Sequence, residues 1–203
     1  MFLDAKGILI TSAAIIVALI IMIVVIYFIY KIIKKNQTTK MYQAIESLLL
    51  KFVELDKENN QYTKIEKLKN DNLPYDFTLT TEKSIFYIMI VKNAFSDEIC
   101  INNSVKWQKG RPQGQENAKF FNDIDKLMRV DLPKTEGKKT RKLYIIYPNA
   151  RLLLKYINEC EMEFVYPITD VYGTNVVTYF EFKDDINIPY KIEEEAEKKK
   201  NKI

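Results

Sequence analysis

Residues 7–30 read GILITSAAIIVALIIMIVVIYFIY, a run of 24 uncharged and overwhelmingly apolar residues followed at once by KIIKK. As a helix rising about 1.5 Å per residue this run would reach roughly 36 Å, slightly more than the ~30 Å hydrocarbon core of a bilayer. The run therefore predicts a transmembrane helix with some tilt. Working outward, residues 1–6 form a short extracytoplasmic N-terminus, 31–37 a basic juxtamembrane segment, 38–190 a soluble cytoplasmic domain, and 191–203 a charged tail.

The flanks set the orientation. Lys6 is balanced by Asp4 before the run, whereas Lys31, Lys34, Lys35 and Lys40 follow it, and the positive-inside rule puts the C-terminal domain in the cytoplasm. A cleaved signal peptide would have a shorter apolar region, charges ahead of it and small residues behind it; here lysines and the bulky Tyr27, Phe28 and Tyr30 occupy the far end. Those aromatics suit the headgroup level, where an amphipathic ring keeps one end dry. Ala14 and Ala18 form a small-xxx-small pair that would let a second helix approach; a plain lipid-facing anchor is the alternative. Without a Gly at position 2 or a Cys beside the span, no lipid anchor is expected, so the helix anchors alone.

Composition narrows the chemistry. The chain has 203 residues, a net charge of +4 and no histidine. Lacking histidine, it has no neutral-pH imidazole base, no imidazole zinc ligand and no Ser-His or Cys-His nucleophile pair. Five glycines form neither a Walker A loop nor a GxGxxG turn. Cys100 and Cys160 are isolated and read as ordinary thiols in a reducing compartment. No cofactor and no metal are expected. The wealth of Lys, Asn, Ile and Tyr resembles proteins of bacteria with AT-rich genomes, such as mycoplasmas.

Beyond the anchor, Thr38 or Thr39 would cap a helix with apolar residues at Met41, Ile45, Leu48, Leu49, Phe52 and Leu55, either packed on the domain or self-associating as a coil. Residues 56–72 are polar, a loop or short helix. YDFTLT (75–80) alternates as a half-buried strand, SIFYIMIVKN (84–93) reads as a central strand apolar on both faces, and ICINNSVKWQ (99–108) as a third. Phe120, Phe121, Ile124, Leu127 and Met128 recur at helical spacing. DLPKTEGKKTRK (131–142) reads as an exposed basic loop before the strand KLYIIYPN (142–149). Leu152, Leu153, Tyr156 and Ile157 predict a further helix. EFVYPITDVYG (163–173) and NVVTYFEF (175–182) predict two strands in a hairpin around Gly173, and EEEAEKKKNK (193–202) frayed helix or disorder. The expected fold is an α/β (or α+β) domain with one central mixed sheet of five or six strands and flanking helices.

Asp76 at a strand start, followed by a hydrophobic strand that ends in Lys92, resembles the PD-(D/E)xK nuclease superfamily, the restriction-endonuclease-like fold. The α-β-β-β-α-β order expected over residues 40–147 matches that core. The resemblance implies that Asp76 helps hold a divalent metal and that Lys92 stabilises phosphate charge. The triplet reads Ile90-Val91-Lys92, so isoleucine stands where the second carboxylate belongs, and the resemblance implies a degenerate nuclease-like domain with at most residual cleavage.

Three further features invite binding. Lys138, Lys139, Arg141 and Lys142, with Lys109 and Arg111, form a candidate anion-binding surface for nucleic acid or anionic lipid, to which Trp107 could add a stacking ring. Glu159, Glu161 and Glu163 would share one face of a strand, as a solvated edge, a cation site or an acidic docking patch. Taken together the expected function is a membrane-anchored adaptor, non-catalytic, with the lipid bilayer and a protein at the membrane as partners; nucleic acid belongs to the nuclease-like alternative.

Overall fold

A computed structural model of the chain describes residues 5–59, 61–68, 75–103, 106–111, 114–120, 132–133, 135, 137–158 and 161–200. The chain divides into two units, Met1–Gln43 and Ala44–Ile203.

The first unit is helical. Helix α1 (Ala5–Glu58) is the one helix among the described residues long and apolar enough to cross a membrane. The large apolar side chains described between Ile15 and Ile33 are exposed all round the helix, as a lipid-facing surface would be in the absence of lipid. Thr38 and Thr39 do not start a new helix. Each hydroxyl donates to a carbonyl four residues back, Lys34 O and Lys35 O, at 3.0 Å, so α1 passes straight through the predicted cap and through the juxtamembrane segment.

In the second unit, the last turns of α1 bury Ile45, Leu48, Leu49 and Phe52 at the helical spacing read from the sequence, joined by Val53, while Leu55 is half-buried. Among the described residues eleven strands follow: β1 (Lys64–Lys67), β2 (Phe77–Thr80), β3 (Ser84–Lys92), β4 (Glu98–Asn103), β5 (Lys106–Arg111), β6 (Gly114–Phe120), β7 (Lys139–Tyr147), β8 (Leu153–Asn158), β9 (Glu161–Phe164), β10 (Asp170–Val171) and β11 (Thr174–Thr178). Helices α2 (Tyr179–Asp184) and α3 (Ile188–Lys200) close the described chain.

The strands make two sheets, where the sequence predicts one. The first runs β1-β2-β3-β7-β11-β10 and the second β6-β5-β4-β8-β9. In the first, β3, β7 and β11 are mutually parallel at the centre, flanked by antiparallel neighbours. Its two faces are both covered. Tyr87, Met89, Val91, Tyr144, Ile146 and Val176 on one face pack with Ile99, Ile101, Trp107, Leu153 and Val165 of the second sheet. By strand alternation Phe77, Leu79, Phe86, Ile88, Leu143 and Ile145 occupy the opposite face, each fully buried. That face is the helix side: Lys67 bonds Glu46 of α1 at 3.3 Å while its ammonium lies 5.7 Å from the Phe77 ring centre. The unit is thus three layers, helices on a mixed sheet on a second mixed sheet. Burial on both faces explains why β3 reads as a continuous apolar run.

Several predicted elements change identity. ICINNSVKWQ is two antiparallel strands, β4 and β5. The helix predicted at Leu152–Ile157 is instead β8 (Leu153–Asn158), because so short a segment is held between parallel β4 and antiparallel β9; pairing overrides a spacing that fits a helix equally well. β1 replaces the loop or short helix, and the basic loop becomes the start of β7 at Lys139. EFVYPITDVYG separates into β9 and the short β10, with the predicted hairpin around Gly173 present: Tyr172 and Gly173 both have positive φ, 55° and 79°, the left-handed pair of a two-residue turn. NVVTYFEF is strand only to Thr178. There Thr178 Oγ1 accepts from Glu181 N at 3.2 Å and the Glu181 carboxylate accepts from Thr178 N at 2.8 Å, a capping box that starts α2. The charged tail as far as Lys200 belongs to helix α3, ordered by burial of Ile188, Ile192 and Glu193. The helix expected around 121–128 lies outside the described residues.

Candidate functional site

A groove of about 650 Å³ lies on the helical side of the second unit. One wall is the end of α1, with Phe52, Leu55 and Asp56; a second is the β2–β3 turn, with Glu82 and Lys83; the third is the start of α3, with Tyr190, Lys191, Glu193 and Glu194. The ends of α1 and α3 meet here because each buries an apolar group next to its polar contribution: Phe52 packs on Tyr190 with ring centres 5.3 Å apart, and Ile192 sits beside Glu193 in the core.

Two carboxylates of the groove are almost fully buried. Asp56 is 3% exposed, and its Oδ2 accepts from both Thr63 Oγ1 and Tyr190 Oη. Glu193 is 4% exposed and accepts from Thr81 Oγ1 at 2.5 Å, while Thr81 Oγ1 itself accepts from Ser84 N at 3.0 Å. Hydroxyl donors thus satisfy charges that burial would otherwise make costly. Burial, reinforced by the Asp56 carboxylate beside it, pushes the Tyr190 hydroxyl well above the usual tyrosine range, so it remains a donor at physiological pH.

The groove is net acidic. Asp56, Glu82, Glu193 and Glu194 line it against Lys83 and Lys191. Both lysines are engaged by acids elsewhere, Lys83 with Glu197 at 3.2 Å and Lys191 with Asp185 at 2.5 Å. With apolar Phe52, Leu55 and Ile186 between the carboxylates, the arrangement can hold a cationic side chain and its aliphatic stem. Among the described residues no three or more His, Cys, Asp or Glu side chains are grouped to hold a metal ion.

The residues singled out from sequence lie elsewhere. Asp76 and Lys92 sit at the same end of the adjacent strands β2 and β3. Asp76 Oδ2 accepts from Ile90 N at 2.7 Å, and Lys92 is exposed at the strand end. Lys138 donates to Thr81 O at 2.6 Å and lies over the Tyr62 ring, and Arg141 Nε donates to Ser84 Oγ at 3.1 Å. On β7, Lys139 shares a face with Arg141 and Lys142 belongs to the opposite face. Lys109 belongs to the second sheet, paired with Asp97 at 2.9 Å, and Arg111 ends the same strand β5. Trp107 is fully buried against Tyr144, so it is core and offers no stacking surface. Cys100 is a free thiol whose ionisation burial pushes up; Cys160 and Glu159 lie outside the described residues. Lys31, Lys34, Lys35, Lys40, Tyr27 and Tyr30 are exposed on α1.

No family model, no curated protein and no solved structure matches this chain.

Asp56, Tyr190 and Glu193 of the groove, and the Thr63 and Thr81 hydroxyls that bond its two buried acids, were not marked by sequence reasoning. One signal was present. Asp56 continues the Ile45-Leu49-Phe52 stripe of α1, and an acid on the buried face of a helix requires a hydrogen-bonding partner.

Proposed function

We propose that the protein is a single-pass membrane protein whose C-terminal domain lies in the cytoplasm and acts by binding a protein partner through the acidic groove, as an adaptor without catalysis. The carrying observation is the groove itself, where Glu82 and Glu194 are exposed, Asp56 and Glu193 lie buried behind them, and the two neighbouring lysines are engaged by Glu197 and Asp185. Such a surface attracts a basic segment. The exposed apolar helix followed by Lys31, Lys34, Lys35 and Lys40 supports a plasma-membrane anchor with the N-terminus outside. Anchoring then raises the local concentration of the groove for partners in the same membrane.

The test places a photoreactive side chain at Gln61 of the full chain in its native membrane. A discrete protein adduct is expected, lost when Leu55→Arg brings positive charge into the groove. Adducts indifferent to that change would remove the groove from the proposal, and digestion of the domain by protease outside intact cells would overturn the orientation.

The nuclease-like reading keeps one favourable observation, the placement of Asp76 and Lys92 at the same end of neighbouring strands. It requires that Asp76→Ala or Lys92→Ala abolish magnesium-dependent cleavage or nucleic-acid affinity; two silent substitutions would eliminate it.

A further inference from the structure

Strand β9 (Glu161–Phe164) ends the second sheet, and all four of its residues are exposed. We propose that this edge is a docking site for an extended protein segment in which basic and apolar residues alternate, added to the sheet as a further strand.

The backbone supplies the first argument. Val165 N donates to Leu153 O at 2.9 Å, which marks that opposed pair as hydrogen-bonded. In an antiparallel ladder the bonded pairs alternate, so Glu163, opposite Lys155, also faces β8, and the N–H and C=O groups of Met162 and Phe164 point to the open edge. Among the described residues no strand pairs with that edge. It therefore offers two donors and two acceptors at the spacing of a strand.

Side chains supply the second. Register places Met162 opposite Tyr156 and Phe164 opposite Leu154, so one face of the edge is apolar, with Met162 52% and Phe164 54% exposed. The other face carries Glu161 and Glu163, held upright by Asn158 at 3.0 Å and Lys155 at 2.9 Å. A bulge at Ile157 lies in β8, between Tyr156 and Asn158, which leaves the alternation of β9 unbroken.

Charge decides the occupant. In a second copy paired antiparallel about a two-fold axis normal to the sheet, residues on one face meet only residues of the same face, so Glu would oppose Glu. Self-pairing is disfavoured. A strand with Lys or Arg opposite Glu161 and Glu163, and apolar residues opposite Met162 and Phe164, satisfies both faces at once.

The experiment uses the full chain in dodecyl maltoside micelles and the anisotropy of a fluorescein-labelled octapeptide alternating lysine and valine. Its control is the same composition written as four valines then four lysines, which cannot segregate charge and apolar groups on opposite faces of a strand. The alternating peptide is expected to bind at least about tenfold tighter, the worth of roughly one net hydrogen bond. Met162→Pro, which deletes an outward N–H at a position an edge strand tolerates, should lose binding, and Met162→Ala, which keeps it, should lose less. Joint Glu161→Lys and Glu163→Lys should transfer preference to an alternating glutamate-valine peptide. Buried Trp107 fluorescence reports folding of each variant, and should the proline variant unfold, the charge reversal alone decides. Equal binding of the two lysine peptides, or no transfer of preference on charge reversal, overturns the proposal. Leu55→Arg in the groove should leave this binding unchanged, which separates it from the groove.

Discussion

Replacing Tyr144 by phenylalanine should stabilise the domain. Tyr144 is fully buried between the two sheets, with its ring 5.7 Å from that of Trp107, and its hydroxyl faces that of Tyr75 without reaching a hydrogen bond of full geometry. The Tyr75 hydroxyl is near enough to affect its ionisation, but it too lacks hydrogen-bond geometry to any group. An unmet buried hydroxyl costs about 1–3 kcal/mol, so its removal should raise stability by about 1 kcal/mol at pH 7, with the ring packing retained. Alkali should widen the difference. Burial, with the neighbouring Tyr75, holds the Tyr144 hydroxyl far above the ordinary tyrosine value of 10.0. Above that value the unfolded chain loses a proton that the folded chain keeps. Stability linked to this group is therefore fully present below pH 10 and is lost as pH rises, by about 1.4 kcal/mol per unit. The Tyr144→Phe variant escapes that loss, so by pH 11.5 it should lead by about 3 kcal/mol. Urea unfolding of the full chain in detergent, followed by the single tryptophan, reads both numbers at the site itself. A variant destabilised by more than about 1 kcal/mol at pH 7 would mean that the hydroxyl is a hydrogen-bonding member of the core, and parallel alkaline curves would refute the ionisation argument.

Two further outcomes test the helices. Thr178→Ala removes the capping-box side chain of α2 and should cost about 1 kcal/mol in the same urea assay, whereas Thr178→Ser should cost less than half of that. A stop after Asn187 deletes α3 and with it the burial of Ile188 and Ile192, each worth about 1.5–3 kcal/mol, and the hydroxyl bonds to Asp56 and Glu193. Limited proteolysis should then find no resistant domain; a truncated chain as resistant as the whole would show the C-terminal segment to be dispensable.

The sequence alone determined the apolar N-terminal helix, because 24 uncharged residues in succession state their environment without reference to any other part of the chain. It determined β2 and β3 for a related reason. The continuous apolar run of β3 records burial on both faces, whereas the alternation of β2 located the strand but not its second buried face, where Thr78 lies in the interior beside Phe77 and Leu79. The turn around Gly173 was legible because glycine accepts positive φ at no steric cost, whereas the positive φ of Tyr172 beside it was not. Tertiary structure decided the rest. Leu152, Leu153, Tyr156 and Ile157 fit a helix or a strand equally until β4 and β9 bond to either side. The acidic block of α3 looks fully solvated until Glu193 is placed under Thr81, 112 positions away in the chain. The groove joins Asp56 to Tyr190 across 134 positions, and no local pattern can announce such a pair, because its hydrogen bond exists only once the layers have packed.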